Sequence, residues 1–574
     1  SGAIQAISSW LEKVTGPSSS RKKLATPRMN AMRFERYDHD GSVYSADCVV
    51  SPELALSGYP PEDLLLKDGF IADIRDYLNN MAVQVGNVPF FVGAPMEAGA
   101  EVVVAPPSDA RRVSQVAAPT RSTALGNCVA VLRDGRIEDV AVKRLLPNYD
   151  VFDEQRYFQP GMGDPTVVTV GSDRVAIVVC EDAWMSDGPL SHVGDVEVVV
   201  VANASPYARG RQSEREAMAA QRARETNAFF VSVNTVGGQD ELVFDGQSFA
   251  LNPRGELIAR AGTHVEQILL VDTATEQNAI ADPLDPLAEI YHALVVGTRD
   301  YIHKNGFRSV VIAISGGVDS ALVAAIATDA LGPDCVRGFA LPSRYSSDHS
   351  RSDAADLARR LGVTLEEIPI EVAHVALSSS LALALGGEPS GLTDENLQSR
   401  IRGVIMMGIS NATGAVVLTT GNKSEIAVGY STLYGDSVGG FAVIKDVPKT
   451  LVYDLCRWRN AEARRAGGDD LIPPSILTKA PSAELRPDQR DDQSLPPYDV
   501  LDPILALYVE HDATAAQIVA AGYDAALVAR ITSLVDAAEY KRRQSPPGVR
   551  ITSKAFGKDR RMPITNRYRG LEGS

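Results

Sequence analysis

The chain has 574 residues, more than one ordinary hydrophobic core accommodates, so at least two domains are expected. Its 45% hydrophobic and 22% charged residues fit a globular protein, without an 18-residue apolar run or a charged-then-apolar leader at the start. A net charge of −17 excludes general polyanion binding over the whole surface. Cys48, Cys128, Cys180, Cys335 and Cys456 form no CxxC pair, which points to a reducing, cytoplasmic setting.

Along the chain, short apolar runs alternate with helical patterns, giving an α/β class. Residues 1–45 carry no apolar opening strand, and residues 97–124 read as extra sequence. "VLRDGRIEDVAVK" places an Asp-Gly turn between two β-rich runs and predicts a hairpin. Residues 175–180, 196–203 and 229–234 read as buried strands, with an amphipathic helix in "RQSEREAMAAQRARETNA". The polar stretch 272–286 sets a boundary near residue 275, giving domains 1–275 and 276–574. Beyond it, "LAEIYHALVVGTRDYIHKNG" predicts a helix, and "SVVIAI", "CVRGFAL" and "AVVLTT" predict strands alternating with helices. That order suits a doubly wound parallel sheet. Residues 541–570 hold ten Lys or Arg against one acid, Asp559, which suggests a local site for an anionic ligand.

"AISGGVDSALVAAIA" (313–327) runs from a strand through two glycines, two serines and an aspartate into a helix. Glycines let backbone N–H groups approach a phosphate, and the helix N-terminus adds positive partial charge. Ser315 and Ser320 can donate hydrogen bonds. The lysine of a P-loop is missing, and Asp319 beside phosphates makes sense with Mg²⁺ between them. The plain reading is a capped helix turn.

The loop resembles that of the ATP pyrophosphatases, shared by NAD, GMP and asparagine synthetases and tRNA-thiolating enzymes. "LPSRYSSDHS", "ENLQSRIRG", "LTTGNKSEIAVGYSTLYGD" and "PPSILTKAPSAELRPDQRDDQSLPPYDVLD" then resemble NAD synthetases over nearly all of 287–574. The resemblance implies that Ala313, Ile314, Ser315, Gly316, Gly317, Val318, Asp319 and Ser320, with Thr420, contact ATP. It implies that Asn396, Glu425 and Lys554 hold deamido-NAD, with Asp319 and Glu425 near Mg²⁺. Taken alone, Glu425 is a first-turn acid and Lys554 a solvated lysine.

Cys180 ends an apolar strand in "VVCEDAW", where a buried core thiol is the ordinary alternative. Activating it needs a proton acceptor and a cation; Glu53 lies at another strand exit, in "SPELALSGYPPEDLLL", and Lys143 lies in "VAVKRLLPNYDVFDEQRYF". The three contexts resemble the nitrilase (carbon–nitrogen hydrolase) superfamily, in the glutaminase branch fused to NAD synthetases. That implies Glu53 as general base, Cys180 as nucleophile and Lys143 as oxyanion stabiliser. Tyr149, Ser205 and Arg211 would bind glutamine, though each has a structural reading as packing aromatic, turn residue and helix start. The implied fold is a nitrilase-like α-β-β-α sandwich followed by a doubly wound, adenine nucleotide alpha hydrolase-like synthetase domain.

The expected reaction is glutamine hydrolysis feeding ammonia to deamido-NAD, adenylated by ATP with Mg²⁺. An ammonia tunnel and a homo-oligomer built on synthetase dimers accompany it, with neither nucleic acid nor membrane as partner. Another glutamine-dependent ATP pyrophosphatase, such as GMP synthetase, is the alternative. It uses a different glutaminase type, and an N-terminal-nucleophile type needs Cys where this sequence reads Ser-Gly. A nucleotide-binding regulatory or RNA-binding protein would explain the basic tail but leave the thiol set idle.

Overall fold

The computed structural model describes residues 35–37, 43–97, 124–275 and 278–565. Most of residues 1–45 and of 97–124 lie outside that set. Within it, β1 (Glu35–Tyr37) and β2 (Val43–Ser45) form a separate antiparallel pair. The chain divides into two compact units, the first ending at Pro283 and the second running over Leu284–Ser574 and also taking in Tyr207–Arg209 and Gly237–Val243.

The first unit holds two sheets. One orders β3 (Val49–Val50), β4 (Phe90–Glu97), β5 (Leu125–Arg133) and β6 (Arg136–Val142). The expected hairpin is β5–β6, closed by Asp134 and Gly135 with φ of 51° and 78°. Positive φ at both central residues matches the right-handed strand twist, which is why Asp-Gly works there. The other sheet comprises β7 (Thr166–Val170), β8 (Asp173–Val179), β9 (Val198–Asn203), β10 (Phe229–Asn234), β13 (Phe249–Leu251) and β14 (Leu257–Arg260), in the order β14-β13-β10-β9-β8-β7. Between β10 and β13, β11 (Val236–Gln239) and β12 (Leu242–Asp245) pair as a ribbon.

Strand periodicity assigns the faces. On β8, Val175, Ile177 and Val179 pack toward Phe91, Val129 and Val131 of the facing sheet. Ala176 and Val178, pointing the other way, pack with Ala219 and Ala223 of the helix Arg211–Thr226. The helix Asp68–Gln84 covers the outer face of the four-stranded sheet through Ile74, Leu78 and Met81. The result is the α-β-β-α sandwich.

In the second unit, β15 (Val310–Ala313), β16 (Val336–Ala340), β17 (Thr364–Glu367), β18 (Val416–Thr419) and β19 (Phe441–Ala442) form a parallel sheet ordered β17-β16-β15-β18-β19. The helices Pro286–Lys304 and Val318–Leu331 cover one face, meeting Val310 and Ile312. The helix Leu392–Thr413 covers the other through Ile401 and Met406, meeting Val311 and Val417. The strand order reverses between β15 and β18, so a crevice opens at their carboxyl ends, where such sheets bind ligands. Among the described residues no helix is long and apolar enough to cross a membrane.

Candidate active sites

Four strand exits of the first unit converge. Lys143 follows β6, Cys180 follows β8, Ala204 follows β9, and Glu53 lies three residues past β3. The Lys143 ammonium, fully buried, donates to Glu53 Oε1 (2.8 Å) and Glu154 Oε1 (2.7 Å). Glu53 also accepts from Asn127 Nδ2 (2.7 Å) and from the Ala204 N–H (3.0 Å). Glu154 accepts from the Tyr59 hydroxyl (2.7 Å). Burial opposes the Lys143 charge, but Glu53 and Glu154 outweigh it and hold its pKa well above the ordinary lysine value.

Cys180 opens a short 3₁₀ turn, Cys180–Ala183, with a left-handed φ of 44°. Its thiol lies in the field of Glu53, Lys143 and Glu154; burial, reinforced by Glu53, pushes its pKa well up, against the pull of Lys143. A thiol pushed in that direction needs a proton acceptor when it attacks. Glu53, the expected general base, is among the groups whose charge acts on it.

Two of the three expected glutamine-binding residues meet this turn. The Tyr149 hydroxyl donates to Glu181 at 3.0 Å, next to Cys180. The Arg211 guanidinium stacks 4.7 Å over the ring of Trp184, which caps the same turn. Ser205 is buried beside Ala204, the anchor of Glu53. Glu154, Asn127 and Tyr59 were not singled out from sequence. Glu154 was within reach only as an acid in "VFDEQRYF", eleven residues after Lys143.

In the second unit, residues 314–317 turn from β15 into the helix Val318–Leu331. Ser315 and Ser320 hydroxyls lie 3.2 Å apart, and Ser315 Oγ accepts the Gly317 N–H at 3.3 Å. Gly316 has φ 77°, and a Cβ there would sit 2.2 Å from the Ser350 carbonyl oxygen. Both restrictions require glycine. Asp319 crosses the crevice between β15 and β18: its Oδ1 accepts from Asn422 Nδ2 (2.9 Å), and its Oδ2 pairs with the Lys449 ammonium. Lys449 also reaches Glu425 Oε1 at 3.3 Å, so it sits between the two carboxylates expected to hold Mg²⁺. Burial raises the Glu425 carboxyl to about 8; Lys449 opposes this, and Asp319 and Asp491 add to it. Among the described residues no three acids, histidines or cysteines cluster as a metal cage. Two carboxylates at a phosphate-binding turn are nevertheless what Mg²⁺ uses when phosphates and waters complete its shell.

Thr420 leaves β18 directly beside this crevice. Asn396, on the helix Leu392–Thr413, accepts from the Thr432 hydroxyl at 2.7 Å. Lys554 pairs with Asp512. Much of the rest of the basic tail is engaged within the fold. Lys541 donates to the Gly429 and Ser431 carbonyls, Arg542 binds Glu539, Arg550 binds Asp559 (2.6 Å) and Arg560 reaches Asp536 (3.5 Å). Some of these partners are neighbours in the chain, whereas the Lys541 carbonyls lie more than a hundred residues away; Arg567 and Arg569 lie outside the described residues.

The carbon-nitrogen hydrolase family model matches residues 31–278, and the NAD synthase model matches residues 290–545. A glutamine-dependent NAD(+) synthetase of Xanthomonas campestris pv. campestris (strain 8004) is 46% identical over 539 residues, 92% of each chain. The solved glutamine-dependent NAD+ synthetase of Acinetobacter baumannii, in complex with adenosine diphosphate, is 39% identical with a TM-score of 0.68, covering 91% of this chain and 92% of that one. The crystal structure of the Cytophaga hutchinsonii glutamine-dependent NAD(+) synthetase shares the fold at 21% identity, with a TM-score of 0.74 over 90% and 91% of the two chains. The class is thus a carbon–nitrogen hydrolase fused to an NAD synthase domain. Within it, the chain belongs to the family of glutamine-dependent NAD(+) synthetases, which decides against the GMP synthetase alternative.

Proposed function

We propose that Cys180, Glu53 and Lys143 hydrolyse glutamine, and that the loop 313–320 with Asp319 and Glu425 serves the ATP-dependent amidation of deamido-NAD. The observation that carries the reading is the buried Lys143–Glu53 contact, in whose electrostatic field the Cys180 thiol lies, on a chain of this family. As Sγ attacks the side-chain amide carbon, its proton passes to Glu53, and Lys143 faces the developing oxyanion. Glu53 returns the proton to the leaving nitrogen, ammonia departs, and a thioester remains. Water, deprotonated by Glu53, then releases glutamate and restores the thiol. Tyr149, Ser205 and Arg211 would hold glutamine's α-groups, the Arg fork suiting a carboxylate.

In the second unit, the nicotinate carboxylate of deamido-NAD attacks the ATP α-phosphorus and expels pyrophosphate, and ammonia then displaces AMP. Backbone N–H groups of the loop and Thr420 would position the phosphates, and Asn396, Glu425 and Lys554 the dinucleotide. Mg²⁺, held by Asp319 and Glu425, would supply neutralising charge to the phosphates. Lys449 belongs with this group, since it already balances the two carboxylates.

The test is Cys180→Ala supplied with ATP, Mg²⁺ and deamido-NAD. NAD formation from glutamine should stop while formation from ammonium continues. Loss of both in a folded variant would overturn the division of labour. Transfer of ammonia within the protein is part of the proposal, and labelled ammonium in the medium should dilute glutamine-derived nitrogen only weakly. A homo-oligomer built on the synthetase unit is supported by the apolar side chains that its helices expose, among them Val372, Leu383, Leu385, Leu392 and Val404. Light scattering on Leu383→Glu should show a smaller particle than the parent.

A further inference from the structure

Beneath Ser205 lies a buried polar chain that the reaction steps above do not use. Asn234, at the end of β10, grips the Ser205 main chain from both sides: its Oδ1 accepts the Ser205 N–H (2.9 Å), and its Nδ2 donates to the Ser205 carbonyl (3.3 Å). The same Nδ2 donates to Asp245 Oδ1 (3.2 Å). Asp245 is fully buried, and its Oδ2 accepts from Gln247 Nε2 (3.0 Å) and pairs with the Arg215 guanidinium. Arg215, 4% exposed on the helix Arg211–Thr226, has two further buried guanidinium nitrogens, Nε and Nη1, with no hydrogen-bond partner among the described residues.

A side-chain amide can bind in two flipped orientations, and only one of them presents an acceptor to the Ser205 N–H. Asp245 Oδ2 already receives the Arg215 guanidinium and Gln247 Nε2, and its Oδ1 receives Asn234 Nδ2, so the amide nitrogen is drawn toward the carboxylate and Oδ1 of Asn234 is left for the Ser205 N–H. The order Arg215, Asp245, Asn234, Ser205 thus runs from a fixed charge to a fixed peptide orientation.

We infer that Asn234, Asp245 and Arg215 are positioning residues that set the Ser205 backbone and through it the affinity for glutamine. The inference rests on the proposed role of Ser205 at a glutaminase site. Their effect falls on binding more than on turnover. Glu53 loses none of its contacts to Lys143 and Asn127 when the Ser205 clamp loosens, although its third donor, Ala204, is adjacent.

The experiment measures glutamine hydrolysis by the full chain for Asp245→Asn and Asn234→Ala. Asp245→Asn removes the rule that fixes the amide and leaves the Arg215 charge unbalanced; Asn234→Ala removes the clamp but keeps the Arg215–Asp245 pair, so it guards against a folding failure of the first. A lost buried hydrogen bond corresponds to a KM for glutamine raised roughly 10-fold or more, with kcat lowered less than about 3-fold. Ammonium-driven NAD formation should be unchanged. Restoring an amide with Asn234→Gln should recover less than Asn234 itself, because the longer arm cannot meet both Ser205 groups. An unchanged KM in Asn234→Ala, or a fall in kcat at constant KM, would overturn the inference. If Cys180→Ala still hydrolyses glutamine, the glutaminase reading itself fails, independently of how Asn234 variants behave.

Discussion

Asp182 Oδ1 accepts the main-chain N–H groups of Leu145 (2.8 Å) and Arg144 (3.0 Å), so the carboxylate two residues past Cys180, the proposed nucleophile, anchors the strand exit that presents Lys143. The Cys180 turn and the Lys143 strand exit are thereby fixed to one another. Asp182→Ala should lower glutamine hydrolysis roughly 100-fold through misplacement of the two groups, with ammonium-driven synthesis retained. Steady-state rates with the two nitrogen sources check this.

The same residue gives a pH signature. Burial raises the Asp182 carboxyl from 3.8 to about 6, and the N–H donors only partly oppose it. The folded chain therefore holds a proton that the unfolded chain has released, and the associated stability is full below about pH 4 and lost as pH rises through about 6. Asp182→Asn does not titrate, so its stability deficit relative to the parent should be larger near pH 4 than near pH 7, by up to about 3 kcal/mol. Urea midpoints at the two pH values measure it, and equal deficits would contradict it.

Gly93 on β4 faces the segment that carries Glu53, the proposed general base. A Cβ there would lie 2.1 Å from the Pro52 carbonyl oxygen and 2.6 Å from the Leu54 nitrogen. Those are backbone atoms, so the Glu53 loop must move. Gly93→Ala is expected to cut glutamine hydrolysis by roughly 100-fold, leaving ammonium use intact. Normal hydrolysis by the variant would show that the loop tolerates the shift.

Gly316 marks the other unit. Its positive φ and its contact with the Ser350 carbonyl leave no room for alanine. Gly316→Ala should lower NAD formation from both nitrogen sources by roughly 100-fold or more, while glutamine hydrolysis persists. Assaying glutamate and NAD in one reaction separates the two.

Two tail cations should behave differently. Lys554 pairs with an exposed Asp512, and Lys554→Met should change stability by less than about 1 kcal/mol while raising the KM for deamido-NAD. Arg550 pairs with the buried Asp559, and Arg550→Met strands that carboxylate at a cost of about 3–5 kcal/mol. Thermal unfolding of the two variants, with KM for the first, decides both.

The strand exits were legible because apolar β-runs ending in Glu, Lys or Cys are local patterns, and Glu53, Lys143 and Cys180 each occupy one. The Ser315–Ser320 turn was legible for the same reason. Glu154, Asp182 and Lys449 were not, since each acts through a partner brought close only by folding: Glu154 through Lys143, Asp182 through the 144–145 main chain, Lys449 through Asp319 and Glu425. The basic tail shows the converse. Its charge excess is real in one dimension, but Glu539, Asp536 and Asp512 cancel much of it in three.

The Lys143 contacts also bear on charge in the buried site. In the proposed glutaminase step, a proton passing from Cys180 to Glu53 would move between groups that share one electrostatic field, so the total charge inside the protein would be the same before and after. Glutamine's side-chain amide is neutral, and the oxyanion it would form takes over the negative charge that the sulfur brings. One buried lysine would then face each negative atom in turn, in place of the solvation on which a buried ion otherwise depends.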